Sequence, residues 1–253
     1  MTLMTERTSF LESALFAGVT LVGAGPGDPD LVTVAGLKAL LGADVVVTDR
    51  LVPHALLAGL APDVELIDVA KFPRSRFTAQ EDINAILLDR ARGGKNVVRL
   101  KGGDSYVFGR GFEEVLHLQQ AGVPVRVIPG LSSSLSVPAL AGIPVTHRGV
   151  VHDFTVVSGH VPPGHPDSLV NWDALAASRG TIVLMMSVQN AGVISQVLIH
   201  AGRDAGQPAA VIADGSLATE RVIRTNLGEL GKAIETEEVQ PPAIIVVGEV
   251  AGL

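Results

Sequence analysis

Cysteine is absent from the 253-residue sequence, which excludes disulfide bonds, thiolate metal sites and a cysteine nucleophile. Aromatic residues make up only 4% of the chain, so the core must consist mainly of Val, Leu, Ile and Ala. No apolar run reaches the roughly 18 residues that a membrane-spanning helix needs. Residues 1–17 lack the basic start and apolar block of a secretory signal. We therefore expect a cytoplasmic protein with no membrane partner and a flexible leader over residues 1–17.

Basic residues are fewer than acidic ones, and the formal net charge is −7. Nucleic-acid-binding proteins are usually basic, so we expect no nucleic-acid partner. The charge is unevenly distributed, because the span from Lys71 to Arg110 holds nine basic residues and only four acidic ones. Several of these cations lie beside glycine-rich loops, where they would attract a small polyanion.

Strand and helix patterns alternate along the first half of the chain. Strands are predicted at 20–23, 44–48, 65–69, 96–101 and 125–129, and helices at 31–41, 79–92 and 112–121. Such alternation favours a largely parallel sheet with ligands at the carboxyl ends of its strands. A second series of strands follows at 154–158, 181–186, 209–213, 221–224 and 243–248, with a helix at 191–201. We expect two α/β domains, over residues 18–146 and 147–253.

The loop GAGPGD at 23–28 follows the first predicted strand. Gly23 and Gly25 fit the start of the dinucleotide-binding pattern G-x-G-x-x-G, which keeps a dinucleotide-dependent oxidoreductase as one alternative. Asp28 places a negative charge at the third glycine position, and the two prolines, Pro26 and Pro29, have no N–H to offer a phosphate. The loop therefore favours close approach of a ligand other than a phosphate, or a tight strand–helix turn with no ligand.

Several segments together resemble the tetrapyrrole methyltransferases that use S-adenosylmethionine. The resemblance is carried by LVGAGPGDPDLVT (21–33), VVVTDRLV (45–52), VVRLKGGDSYVFGRGFEE (97–114), VIPGLSSS (127–134), AGIPVTHR (141–148), SGH (158–160) and PPAIIVVGEV (241–250). It implies two α/β domains of the tetrapyrrole methylase type with the cofactor in the interdomain cleft, and a homodimer. It also implies methyl transfer to carbon, with S-adenosylhomocysteine as the second product and no metal.

The resemblance also implies roles for individual residues. Asp49 matches the family's proposed proton acceptor, and Lys71 matches the proposed proton donor. The implied cofactor contacts are Pro26, Gly102, Gly103, Asp104, Val107, Ser132, Ser133, Met186 and Gly215. Some of these residue types have ordinary structural uses as well: Met186 could be a core residue, the two serines helix caps, and Asp49 a cap or an ion-pair partner.

The substrate implied by the resemblance is a tetrapyrrole polyanion. The motifs TDRLV, GRG-x-EE and GIPVTHR favour uroporphyrinogen III, with its eight carboxylates, and leave a later corrin precursor such as precorrin-4, or a ligand sensor without catalysis, as alternatives. The candidate carboxylate-binding residues are Arg74, Arg76, Lys101, Arg110, His147 and Arg148. Ser105, Tyr106 and Phe112 depart from the family's usual residues, which puts substrate affinity in doubt more than the reaction class. The resemblance is compatible with a product that feeds either sirohaem or cobalamin.

Overall fold

A computed structural model describes residues 16–70 and 79–253. Most of the expected leader and three predicted site residues, Lys71, Arg74 and Arg76, lie outside the described residues. Contacts divide the chain into two compact units that meet in sequence at Ser132 and Ser133. The second unit therefore begins earlier than the expected boundary at 146/147. The reason is that residues 133–140 form a helix that packs on strands of the second unit.

The first unit contains a parallel sheet, as the alternating pattern predicts. Its strands are β1 (Gly18–Gly23), β2 (Val45–Thr48), β3 (Glu65–Asp68), β4 (Asn96–Lys101) and β5 (Val125–Ile128). Their order is β3-β2-β4-β1-β5, and every neighbouring pair is parallel. All five carboxyl ends therefore lie at the same edge of the sheet, which is where α/β folds bind ligands.

Helices cover the sheet of the first unit on both faces. They are α1 (Val34–Leu41), α2 (His54–Ala58), α3 (Gln80–Arg92) and α4 (Gly111–Gln120), and a 3-10 turn occupies Pro29–Leu31. Strand β4 shows the two-sided burial most clearly. Val97 packs in the cluster that holds Leu87 of α3 and Leu118 of α4, whereas Leu100 packs in the opposite cluster with Leu40 of α1. Because side chains alternate along a strand, Arg99 and Lys101 share the face of Val97.

The second unit contains a mixed sheet. Its strands are β6 (Phe154–Ser158), β7 (Thr181–Met185), β8 (Pro208–Ala213), β9 (Arg221–Asn226) and β10 (Ala243–Val247), in the order β6-β7-β10-β8-β9. Only β6 and β7 pair in parallel, and the other neighbouring pairs are antiparallel. Since β10 runs opposite to both β7 and β8, the carboxyl ends of β6, β7 and β8 share one edge.

Four helices pack on this second sheet: α5 (Ser133–Leu140), α6 (Trp172–Ala177), α7 (Ala191–His200) and α8 (Leu230–Thr236). Leu184 and Ile245 lie in a core cluster with Leu198 of α7, while Val183 and Val246 lie in a second cluster with Val137 of α5. The two α/β domains expected from the sequence are thereby confirmed. Across the described part of the chain, no helix is long and apolar enough to cross a bilayer.

Candidate active site

Glycines bring the loops after β1, β4 and β5 into direct backbone contact. The N–H of Gly103 donates to the Gly25 oxygen at 2.7 Å, and the Gly25 N–H donates to the Gly103 oxygen at 3.2 Å. A Cβ atom on Gly130 would lie 2.3 Å from the Gly103 oxygen, and one on Gly23 would lie 2.5 Å from the Gly130 nitrogen. These glycines are thus required for the loops to pack on one another at the ligand-binding edge of the sheet.

Asp104 joins two of these loops. Its Oδ1 accepts from the Tyr106 N–H at 2.8 Å, and its Oδ2 accepts from the Gly130 N–H at 3.0 Å. The resemblance implies a direct contact between this carboxylate and the cofactor. The geometry shows that Asp104 first orders the β4 and β5 loops, while each oxygen keeps a second lone pair for a further donor.

The other predicted cofactor contacts of the first unit lie in the same loops. Pro26 and Val107 are half-buried, and each presents part of an apolar surface. Gly102 is close to Leu51 instead, because a Cβ atom there would lie 2.9 Å from the Leu51 Cβ. Ser132, also half-buried, is the last residue of this unit.

Two predicted cofactor contacts of the second unit, Met186 and Gly215, lie at its β6–β7–β8 edge. Met186 directly follows β7, is 48% exposed and has a left-handed backbone with φ of 53°. Gly215 lies in the loop after β8, where a Cβ atom would approach Val137 of α5 to 2.3 Å. Ser133 is the first residue of α5, and that helix packs on β7 and β10. Met186 is therefore a loop residue rather than a core residue.

Four charged side chains form a cluster below the carboxyl end of β2 and β4, and we call Asp49, Arg99, Lys101 and Glu114 the ion cluster. Arg99 Nη2 donates to Asp49 Oδ1 at 2.6 Å, and Arg99 Nε donates to Glu114 Oε1 at 3.1 Å. Lys101 Nζ lies 3.1 Å from Glu114 Oε1 and 3.8 Å from Asp49 Oδ2. The cluster therefore contains two positive and two negative groups, and its formal charges cancel.

The ion cluster is largely removed from water. Arg99 and Glu114 are 1% and 0% exposed, whereas the Asp49 side chain keeps 32% of its surface accessible. Burial acts to lower the pKa of Arg99, but the charges of Asp49 and Glu114 outweigh it and raise that pKa. Burial, together with the charge of Arg99, lowers the pKa of Lys101 despite the nearby carboxylates. Asp49 is thus the member of the cluster that reaches solvent.

Lys101 has a different environment from the one that the sequence analysis predicts. It is 4% exposed, and its ammonium group lies against Glu114 rather than at the surface of the unit. The difference arises because Lys101 shares the inward strand face of Arg99, under α4. We correct the substrate-binding assignment accordingly: Lys101 is a buried ion-pair partner.

The sequence predicts no site role for two members of the ion cluster, Arg99 and Glu114. Arg99 and Glu114 both lie in the motif at 97–114, but no local pattern assigns either side chain to a site. The buried positions of α4 are Gly111, Glu114, Val115 and Leu118, so Glu114 falls on the core face of an otherwise ordinary amphipathic helix. An acidic residue at a core position, and a cation inside a strand covered on both faces, each require a partner.

The remaining predicted substrate contacts among the described residues, Arg110, His147 and Arg148, are exposed. Arg110 forms a bidentate pair with Glu113, its Nε lying 3.0 Å from Oε1 and its Nη2 lying 2.7 Å from Oε2. His147 and Arg148 lie in a tight loop that closes where the His147 N–H donates to the Val151 oxygen at 3.0 Å. These side chains are accessible within their own units, and Arg110 already has one carboxylate partner.

Comparison with known proteins identifies the family of this chain. A family model of the tetrapyrrole (corrin/porphyrin) methylases matches residues 18–231. The chain belongs to the tetrapyrrole methylase family.

Relatives with curated names are similar over nearly the whole chain. A uroporphyrinogen-III C-methyltransferase of Methanocaldococcus jannaschii is 46% identical over 93% of this chain and 97% of its own length. A sirohaem synthase of Stutzerimonas stutzeri is 41% identical over 99% of this chain, which spans only 54% of that longer protein. A solved uroporphyrin-III C-methyl transferase of Thermus thermophilus, complexed with S-adenyl homocysteine, is 41% identical with a TM-score of 0.79, covering 93% of this chain and 99% of that one.

Proposed function

We propose that the protein transfers methyl groups from S-adenosylmethionine to two carbons of uroporphyrinogen III, at C2 and C7, and forms precorrin-2. The observation that carries this proposal is the 46% identity to a uroporphyrinogen-III C-methyltransferase, which extends over 97% of that relative. The product lies on the route to sirohaem and cobalamin. We further propose that the protein acts as a homodimer in the cytoplasm.

The residues present fit S-adenosylmethionine. The glycine-bridged loops after β1, β4 and β5 expose backbone groups together with the apolar surfaces of Pro26 and Val107. Met186 is a half-exposed apolar side chain at a strand end. When bound, S-adenosylmethionine supplies an electrophilic methyl group on a sulfonium. Asp104, Gly102, Gly103, Ser132, Ser133 and Gly215 complete the proposed set of contacts.

Proton transfer is the step for which this chain supplies a group. A pyrrole carbon that gains a methyl group leaves the macrocycle with a proton to lose, so a carboxylate near the substrate is useful. Asp49 has the required exposure, and Arg99 engages its Oδ1 while Oδ2 lies 3.8 Å from Lys101 Nζ. We assign Asp49 Oδ2 as the proton acceptor. Lys71 is the proposed donor and lies outside the described residues.

Recognition of the carboxylates of the substrate falls to exposed basic residues. Arg110, His147 and Arg148 are exposed, and arginine suits bidentate contacts with carboxylates. The pair between Arg110 and Glu113 is exposed and therefore weak, so a substrate carboxylate can replace Glu113 at little cost. Arg74 and Arg76 complete the proposed set outside the described residues.

A competition experiment tests the substrate assignment. The protein is given radiolabelled S-adenosylmethionine with equal amounts of uroporphyrinogen III and a later corrin precursor, precorrin-4, and the labelled products are separated. Label in the uroporphyrinogen III product supports the proposal, and label confined to the precorrin-4 product contradicts it. Calorimetry with S-adenosylhomocysteine and with NAD(P) tests the cofactor, since binding of NAD(P) alone would favour an oxidoreductase.

A further inference from the structure

Arg99 has a dense set of contacts for a side chain inside a parallel sheet. Its guanidinium donates to Asp49 Oδ1 at 2.6 Å and to Glu114 Oε1 at 3.1 Å. It also donates to the carbonyl oxygens of Val47 and Leu100, both at 3.4 Å. The backbone of Arg99 is paired with β1 on one side and with β2 on the other. The guanidinium is therefore held in place by groups that do not depend on Asp49.

Asp49 has far fewer constraints of its own. It is the first residue after β2, its side chain is partly exposed, and its N–H donates to the Leu100 oxygen at 3.3 Å. A carboxylate at such a position would sample several rotamers without a fixed partner. The short contact from Arg99 Nη2 selects one of them and leaves the second oxygen, Oδ2, without a contact of comparable length among the described cations.

We infer that Arg99 is a positioning residue for Asp49, and that Glu114 pairs with Lys101 and so keeps it from competing with Arg99 for Asp49. The inference rests on the proposed function, in which Asp49 Oδ2 accepts a proton. Reacting groups must be held within a fraction of an ångström for efficient transfer. Arg99 supplies that precision from a buried strand, where its own position is fixed.

Glu114 balances the second positive charge of the ion cluster. Its Oε1 accepts from Arg99 Nε, from Lys101 Nζ and from Gln80 Nε2 at 3.2 Å, whereas its buried Oε2 has no hydrogen-bond partner among the described residues. Without Glu114, two buried cations would compete for Asp49. In the presence of Glu114, Lys101 Nζ lies 3.1 Å from Glu114 Oε1 and 3.8 Å from Asp49 Oδ2. Arg99 is therefore the cation that makes the short contact with Asp49.

Two charge-balanced double variants separate the role of Arg99 from that of Lys101. R99M/E114Q leaves Lys101 with Asp49, and K101M/E114Q leaves Arg99 with Asp49, so each retains one positive and one negative group. We expect kcat of R99M/E114Q to be about 100-fold below that of K101M/E114Q, because misplacement of a reacting group by about 1 Å has an effect of that size. The KM values for both substrates are expected to agree within about 3-fold, since neither pair of changes touches a proposed binding residue. Equal kcat values for the two double variants would overturn the inference.

A mutant cycle with Asp49 distinguishes positioning from a general structural effect. In an Asp49→Asn background the ratio of kcat between the two double variants is expected to fall to within about 3-fold, because residues that act through one another are not additive. Residual turnover is measured with a radiolabelled methyl donor. A ratio that stays near 100-fold in this background would show that Arg99 does not act through Asp49.

Two further measurements complete the test, and the second does not depend on the proposed reaction. Arg99→Lys keeps the charge but shortens the reach, and we expect its kcat to lie between those of the wild type and Arg99→Met; a kcat no higher than that of Arg99→Met would contradict the inference. Crystal structures of the two double variants are expected to show the Asp49 side chain in its present rotamer only in K101M/E114Q. If the wild type itself forms no methylated product, the proposed function fails, and the crystal structures still decide whether Arg99 holds Asp49. An unchanged Asp49 rotamer in R99M/E114Q would overturn the inference.

Discussion

Arg99 Nη2 lies 2.6 Å from Asp49 Oδ1, and the two residues belong to neighbouring parallel strands and their extensions. The contact joins a fully buried cation to a partly exposed carboxylate at the carboxyl edge of the sheet. It follows from strand register, because Val47 faces Arg99 and Asp49 comes two residues later on the same face.

Replacing Asp49 tests its role as the proton acceptor. Asp49→Ala is expected to lower kcat about 100-fold, within the usual range for loss of a general base. The Kd for S-adenosylhomocysteine, measured by calorimetry, is expected to change by less than about 3-fold, because the change removes a transition-state interaction rather than a binding one.

Asp63 offers a matched control for this variant. It is an exposed residue of the same unit and lies in the loop before β3. Asp63→Ala removes a carboxylate from the surface, and turnover should stay within about 2-fold of the wild type. Unchanged turnover in Asp49→Ala would remove Asp49 as the acceptor.

Adjacent glutamates in α4 provide a second comparison. Glu114→Gln leaves two buried cations with one carboxylate, and we expect it to lower the free energy of unfolding by about 3 kcal/mol. Glu113 pairs with Arg110 on the surface, so Glu113→Gln should change it by about 0.5 kcal/mol or less. Urea denaturation measures both. Similar losses in the two variants would show that burial of the ion cluster does not matter for stability.

The burial of Lys101 predicts that the stability of the wild type relative to Lys101→Met depends on pH. Burial lowers the pKa of Lys101 in the folded protein below its ordinary value of 10.5. Between the folded and unfolded values the unfolded chain binds a proton that the folded chain does not, so rising pH favours the folded wild type. The stability of the wild type relative to Lys101→Met should therefore increase as the pH rises toward 10.5.

Denaturation of both proteins at about pH 8 and about pH 10 measures this difference. Lys95→Met is the control, because Lys95 is exposed in the same unit. The stability of the wild type relative to Lys95→Met should not rise comparably between the two pH values. The lowered pKa would be contradicted if the stability of the wild type relative to Lys101→Met stayed constant or decreased as the pH rises.

Gly130 tests the packing of the loops at the sheet edge. A Cβ atom there would lie 2.3 Å from the Gly103 oxygen, which belongs to backbone and has little room to move. Gly130→Ala should lower the free energy of unfolding by about 1–3 kcal/mol, as overpacking does, and should weaken S-adenosylhomocysteine binding. Gly59 has only ordinary contacts at 3.7 Å, so Gly59→Ala should stay within about 0.5 kcal/mol. If Gly130→Ala binds S-adenosylhomocysteine with unchanged affinity, the packed loops are not part of the cofactor site.

Much of the fold follows from local pattern. The Val-rich runs of β1, β2 and β4 predict buried strands, and their alternation with helices predicts the parallel sheet that is observed. Four helices were not predicted, namely α2, α5, α6 and α8. They have between five and eight residues, too few to show a clear helical period, and α5 also contains Pro138.

The candidate site was less accessible to sequence reasoning. The resemblance implies roles for Asp49 and the glycine loops, because each of them lies within a short contiguous motif. The ion cluster depends on which face of β4 lies under α4, and no local pattern states how Arg99 and Lys101 meet Glu114. The sequence therefore suggested that Lys101 faces a substrate, whereas tertiary packing buries it.

The mass of the product formed from uroporphyrinogen III tests the central claim most directly. The wild type and Asp49→Asn are incubated with S-adenosylmethionine and uroporphyrinogen III without air, and the tetrapyrroles are analysed by mass spectrometry. We predict a product with two added methyl groups from the wild type, and slower formation of the same product from the variant. Absence of any methylated product from the wild type, under conditions in which it binds S-adenosylhomocysteine, would contradict the account.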